Sequence, residues 1–430
     1  MIPRYTRKEM GELWSEELKF RAWLEVEIAV CEAWAEKGKI PNESLEIIKN
    51  KADFKIERID ELEKELRHDV IAFLTNIAEY VGPDSRFIHL GLTSNDVVDT
   101  AQGIRLKRSA EIILANIDKL MESLKEKALK YKNTLQIGRT HGIQAEPTTF
   151  GLKCLLWWKE MERNRARLEK AKDIIAVGKI SGAVGTFAHT GLELEEVVCK
   201  KLGLTPAPIS TQVIQRDRHA EYLSALAILG GTLEKIALEV RNCQRTETGE
   251  LCEPFGSGQK GSSAMPHKKN PVICENICGL ARVMRGNALA GFENMALWHE
   301  RDITHSSAER VILADTSIMA DYLLYRTNWV IEGLMVREER MLKNIEDSGG
   351  LFYSQKIMLA LVDKGLTREE AYGIVQRNAL AAWEGKGIFK ENLLSDPEFS
   401  NKLSTSELEE LMDSSIYLKY VDKIFERCNI

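Results

Sequence analysis

Proline is scarce in this 430-residue chain: there are ten, with none between positions 84 and 146 or between 272 and 395. Those stretches carry no residue that fixes φ and removes a backbone donor, so nothing in them forces a helix to break. Cysteine is also of little structural use. The eight cysteines (31, 154, 199, 243, 252, 274, 278 and 428) lie far apart or within helix-like sequence, and none forms a CxxC pair of the zinc or thioredoxin type. Free, mostly buried thiols in a reducing compartment are expected. No apolar run approaches the ~18 residues that span a bilayer, and the opening MIPRYTRKEM lacks the apolar stretch of a secretory signal, so a cytoplasmic location is expected with no membrane partner. An excess of basic charge is missing too. The formal net charge of −6 excludes the dense basic face of a nucleic-acid binder, so any anionic ligand must meet a local cluster of basic residues.

What is present is long helical periodicity. Over 96–131, Leu106, Ala110, Ile113, Ile117, Leu120, Leu124, Ala128 and Tyr131 recur every three or four residues with Glu and Lys between them, and Asn95 or Asp96 is placed to cap the start. At ~1.5 Å per residue this helix is about 50 Å long. Similar spacing runs through 9–37, 148–177, 212–248, 272–296 and 308–336, and no segment shows sustained period-two alternation. The expected fold is all-α: an elongated long-helix bundle whose apolar faces exceed one subunit's needs and are covered by oligomerisation. With 44% apolar and 29% charged residues the chain needs no staple of disulfide or metal, and at this length two or three domains are expected. Breaks near 93 and 341 divide it into an N-terminal helical domain (1–93), a central bundle (94–341) and a C-terminal helical domain (342–430).

Several familiar catalytic motifs are missing. There is no GxxxxGK[ST], HExxH or GxSxG, and the GxGxxG at 256–261 follows no strand, so it is no dinucleotide site. Five polar clusters remain, at helix starts or in Gly-rich loops: Arg67-His68-Asp69; Arg86 to Asp96, with His89, Thr93 and Ser94; Gly138 to Pro147, with His141; the loop 256–271, followed by Glu275; and His299 to Arg310, with Arg301 and Ser306. Taken singly, Thr93 to Asp96 is an ordinary helix cap, 301–310 a solvated charged face, and Lys268-Lys269 solubilising charge. Loop 256–271 resists that treatment. Its glycines, Ser262-Ser263 and Lys-Lys-Asn cost entropy to order and bury little, which fits a lid that a ligand orders. Together the residues suit proton abstraction beside a carboxylate. Ser262, Ser263, Lys268 and Asn270 would supply donors to a doubly negative intermediate, and His141, tuned by a carboxylate such as Glu275, would protonate a departing nitrogen. Such an elimination needs no cofactor and no metal.

The loop GSSAMPHKKNPV (261–272) resembles the signature of the superfamily of fumarase, aspartase, argininosuccinate lyase and adenylosuccinate lyase. Within it, Arg4-Tyr5, RHDV (67–70), GLTSNDVVDTA (91–101), GRTHGIQAEPTTFG (138–151) and HERDITHSSAER (299–310) resemble the adenylosuccinate lyase family, and the likeness covers nearly the whole chain. The resemblance implies a three-domain homotetramer around a twenty-helix core, with four active sites each assembled from three subunits. It implies release of fumarate from adenylosuccinate, giving AMP, and from SAICAR, giving AICAR, in purine biosynthesis. By the same resemblance Ser262 is the base and His141 the acid. Lys268, Asn270, Thr93, Ser94 and Ser263 hold the succinyl carboxylates, and Arg4, Tyr5, Arg301, Ser306 and Arg310 hold phosphate and ribose. Arg67, His68, Asp69 and Gln212 complete the pocket, with His89 near the phosphate. The alternatives are another lyase of the superfamily, such as argininosuccinate lyase, a carboxymuconate cycloisomerase, or a recruited structural protein.

Overall fold

A computed structural model of the chain describes every residue except Ser257, Gln259 and Ser263. Helices hold 68% of the residues, as the periodicity requires. Five are long: Ser94–Lys130, Phe150–Ile175, Asp217–Gln244, Val272–Glu293 and Thr304–Glu332. The first begins two residues earlier than its apolar stripe suggests. Asp96 does not stand before the helix as its cap; it lies inside the first turn, and its carboxylate reaches back to the Thr93 N–H at 2.8 Å. Asn95 is buried and donates to Asp99 instead. The expected helix 9–37 is interrupted at Trp14 and Ser15, where the Ser15 hydroxyl caps a new helix, Glu16–Glu36, by accepting from the Leu18 N–H.

The chain divides into two compact units. The first comprises 1–119, 161–235 and 276–327. Its N-terminal core is aromatic: Phe20 and Phe73 stack at 5.5 Å, and Trp23 meets Phe73 edge-on at 5.5 Å. These contacts seat the helix Asp69–Val81 against Glu16–Glu36 and so fix where the first of the polar clusters begins.

The second unit comprises 120–160, 236–275 and 328–430. Its C-terminal segment has a core of its own, from Ile357 and Leu361 through Phe389 and Phe399 to Leu408. Two of its helices start with reciprocal capping boxes, Thr367 with Glu370 and Ser404 with Glu407. This unit also holds a small sheet, minor beside its helices, that the periodicity does not anticipate. Residues 132–147, which sequence reading leaves as a polar loop, belong largely to an antiparallel hairpin of β1 (Leu135–Thr140) and β2 (Ile143–Thr149). Alternation is absent because β2 is exposed or half-buried over its first four residues and buries only Pro147 and Thr149. The other described strands are two-residue pairings.

Candidate active site

In the first unit, three helix N-termini converge on one pocket: those of Asp69–Val81, Ser94–Lys130 and Thr304–Glu332. Each presents the positive end of a helix dipole, so the pocket suits an anion before any side chain is counted. It encloses about 430 Å³, and seven of the candidate residues line it: Arg67, His68, Asp69, Ser94, Arg301, Ser306 and Arg310. Arg67 ends the preceding helix in the left-handed conformation at φ 53°, and the next residue, His68, caps the following helix by accepting from the Ile71 N–H at 3.4 Å. Arg310 donates to Asp69 at 2.7 Å, and Arg301 donates to Gln212 at 3.1 Å while its Nε is buried without a partner. Guanidiniums tethered at one edge keep donors for a ligand on the other.

Beneath the pocket lies an ion network absent from the sequence-based candidates. The Arg216 side chain, 1% exposed, is forked between two carboxylates, with bonds of 2.7 and 3.0 Å to Asp99 and 2.8 and 3.0 Å to Glu309. Glu309 is also hydrogen-bonded to the His305 Nδ1 at 3.1 Å, and Asp99 accepts from the Ile214 N–H at 2.7 Å. Burial pushes both carboxyls up, but Arg216 outweighs it at Asp99, and His305 with Arg216 outweighs it at Glu309, so both are held low. His219, wholly buried, moves the other way: burial and then the charge of Arg216 pull it down to about 4. The network ties the starts of Ser94–Lys130, Asp217–Gln244 and Thr304–Glu332 together, which fixes the spacing of Ser94, Ser306 and Arg310. Its one sequence signal is a polar line, Asn95, Asp99 and Gln102, on an otherwise apolar helix face.

The remaining candidates of this unit stand outside the pocket lining. Thr93 abuts Asp96, whose buried carboxylate is paired with Lys179 and also accepts from the Ser181 and Gly182 N–H groups at 3.1 and 3.2 Å. His89 is held through Nδ1 at 2.6 Å from Glu27, which also accepts from the His89 N–H at 2.9 Å. Burial lowers this imidazole, but the bond to Glu27 outweighs it, and the net shift is upward. Arg4 and Tyr5 form a 3-10 turn, with Tyr5 against Tyr322 at 5.3 Å.

The second unit carries His141, Ser262, Lys268, Asn270 and Glu275. His141 and Gly142 are the two-residue turn of the hairpin, both with positive φ, 55° and 81°. That is the turn matching the strand twist, and it places the imidazole at an exposed tip where no described residue hydrogen-bonds to it, Glu275 included. The Ser262 Oγ accepts two backbone N–H groups, from Ala264 and Met265, each at 3.2 Å. Asn270 closes the same loop by donating to the Gly261 carbonyl at 3.1 Å, and Lys268 is exposed. Glu275 lies in the first turn of Val272–Glu293. Ser263 lies outside the described residues. A larger cleft of about 920 Å³ beside the hairpin is lined by none of the candidate residues, so size alone does not mark the site.

A family model described as lyase matches residues 4–286, and one described as adenylosuccinate lyase C-terminus matches 350–428. The chain is 52% identical over 430 residues to the adenylosuccinate lyase of Aquifex aeolicus (strain VF5), covering 99% of this chain and 98% of that protein. It is 50% identical to the adenylosuccinate lyase of Bacillus subtilis (strain 168), covering all of both. Among solved structures, fumarate lyase from Mesorhizobium sp. BNC1 superposes with a TM-score of 0.91 at 28% identity, covering 100% of this chain and 99% of that one. The chain belongs to the adenylosuccinate lyase family.

Proposed function

We propose that this lyase removes fumarate from adenylosuccinate, giving AMP, and from SAICAR, giving AICAR. The observation that carries the reading is the first unit's pocket, with the guanidiniums of Arg67, Arg301 and Arg310 among its lining and three helix N-termini facing one space, in a chain about half identical over its full length to two adenylosuccinate lyases. Such a pocket fits a nucleotide phosphate.

In the proposed reaction a proton leaves the succinyl β-carbon for the Ser262 oxygen, and the carbon-nitrogen bond breaks with its electron pair going to nitrogen. The fumarate double bond forms, and His141 protonates the released nitrogen. A serine hydroxyl is a weak base, and the two N–H groups directed at Ser262 Oγ supply what an alkoxide needs: fixed donors that stabilise its charge. Thr93, Ser94, Ser263, Lys268 and Asn270 bind the succinyl carboxylates. Arg4, Tyr5, His89, Arg301, Ser306 and Arg310 bind phosphate and ribose, with Arg67, His68, Asp69 and Gln212 completing the pocket and Glu275 acting on His141. Loop 256–271 closes over the bound substrate. No cofactor takes part.

The reading includes a cytoplasmic homotetramer of three-domain subunits, each site drawing its pocket, His141 and Ser262 from different chains. Large exposed apolar residues on the long helices support this, among them Leu289 (63% exposed), Val311 (56%) and Phe292 (51%). A described helix able to cross a membrane is absent. The test is an absorbance assay with adenylosuccinate and, separately, argininosuccinate. Fumarate and AMP from the first alone support the reading; fumarate only from the second assigns the chain to a different lyase of the superfamily.

A further inference from the structure

We propose that Glu250 is a positioning residue for the chemical step, holding the hairpin tip so that His141 meets the leaving nitrogen. The inference rests on the role given to His141 above.

Glu250 has no exposed surface, yet its carboxylate accepts four hydrogen bonds. Gln136 Nε2 donates at 2.6 Å, Arg139 at 3.0 and 2.7 Å through its two terminal nitrogens, and Asn344 Nδ2 at 2.7 Å. The backbone of Glu250 is pinned on both sides: its N–H donates to the Cys243 carbonyl at 2.9 Å, and its carbonyl accepts from the Arg337 N–H at 3.0 Å. The carboxylate is therefore a fixed point, and β1 hangs from it at Gln136 and Arg139, the latter two residues before His141.

The tip needs such an anchor. His141 sits at φ 55°, where a residue with a Cβ is strained by ~1–2 kcal/mol, so the turn holds its shape only if the strands beneath it are fixed. The ladder slips between Ile137 and Arg139, and a Cβ on Gly138 would come within 2.5 Å of the Glu146 carbonyl oxygen. A bulge of this kind re-aims the residues beyond it. Among residues 139–144, Arg139 alone has a side chain hydrogen-bonded outside the hairpin, and its partner is Glu250. A forked guanidinium on a carboxylate fixes an angle as well as a distance. Burying such a pair adds little net stability, which favours geometry as the reason for it.

The test is a double-mutant cycle on the assembled enzyme, with kcat and KM measured for Glu250→Gln, Arg139→Lys, His141→Ala and the combinations with His141→Ala. A misplacement of the order of an ångström costs up to ~10²-fold in rate. Glu250→Gln is expected to lower kcat by roughly 10- to 100-fold with KM changed by less than about threefold, and to have no further effect on the residual turnover of His141→Ala. Arg139→Lys, which keeps the charge and loses the fork, shows the same pattern and carries the test if Glu250→Gln does not assemble. An equal fold-loss in both backgrounds, or an unchanged kcat in both single variants, overturns the inference while leaving His141 in its role. Near-normal turnover of His141→Ala overturns that role and the inference with it.

Discussion

The two units hold their functional groups in opposite ways. In the first, the pocket residues stand at or beside helix ends, braced from below by an Arg216 side chain locked between Asp99 and Glu309, almost wholly out of water. In the second, His141 is exposed at a hairpin tip and Ser262 lies in a loop whose described hydrogen bonds are mostly its own. The groups proposed to bind are thus built to stand still, and the groups proposed to move protons are presented outward. The His141 imidazole has no hydrogen-bond partner among the described residues, which is the condition expected if other chains finish the site.

Breaking the rigid side should cost most. Arg216→Met leaves two buried carboxylates facing each other without their cation, and an expected loss of ~3–5 kcal/mol would appear as an earlier midpoint in denaturant unfolding. A midpoint within the error of the parent would mean that the network is not the brace described. On the other side, His141→Ala and Ser262→Ala should leave folding untouched and lower turnover by at least ~10²-fold, the scale of acid-base groups. Turnover near that of the parent in either variant would remove it from the mechanism.

Acid titration sharpens the contrast. His219 is held at about 4 against 6.5 when exposed, so the unfolded chain takes up the proton first. Its contribution is full above pH 6.5, falls as pH drops toward 4, and is on the order of 3 kcal/mol at one pKa unit per 1.36 kcal/mol. The depressed carboxyls of Asp99 and Glu309 act in the same sense at lower pH, below the usual carboxylate range. His219→Asn should flatten the slope of stability between pH 6.5 and 4; an unchanged slope would place the proton uptake elsewhere. The smallest effect on folding belongs to Arg310, which is exposed and paired with Asp69. Arg310→Ala should cost under ~1 kcal/mol in stability but raise KM, since its proposed work is on the ligand. A variant with unaltered KM would detach Arg310 from the phosphate site.

Legibility in the sequence follows the same divide. The long helices were readable to within a few residues because apolar residues repeat every three or four positions with no proline to interrupt them, and the polar clusters stood out because they break that pattern at helix starts. The hairpin was not readable: β2 turns its first four residues to water, so nothing alternates along it. Nor was the bracing. Arg216 and Asp99 are 117 positions apart, and Arg139 and Glu250 are 111 apart, and charge pairs at such separations leave no local periodicity to find. The sequence could name His141 and Ser262 through resemblance, but not that one is a turn residue and the other accepts two N–H groups.

The claim that His141 and Ser262 serve a site from different chains is open to one direct measurement. His141→Ala and Ser262→Ala enzymes, each expected to be strongly impaired, are mixed under conditions where subunit exchange is confirmed by mass or by a label, and fumarate release is followed. Partial recovery of activity is expected, because some mixed sites then receive an intact His141 and an intact Ser262. Confirmed exchange with no recovery would contradict sites built from several chains.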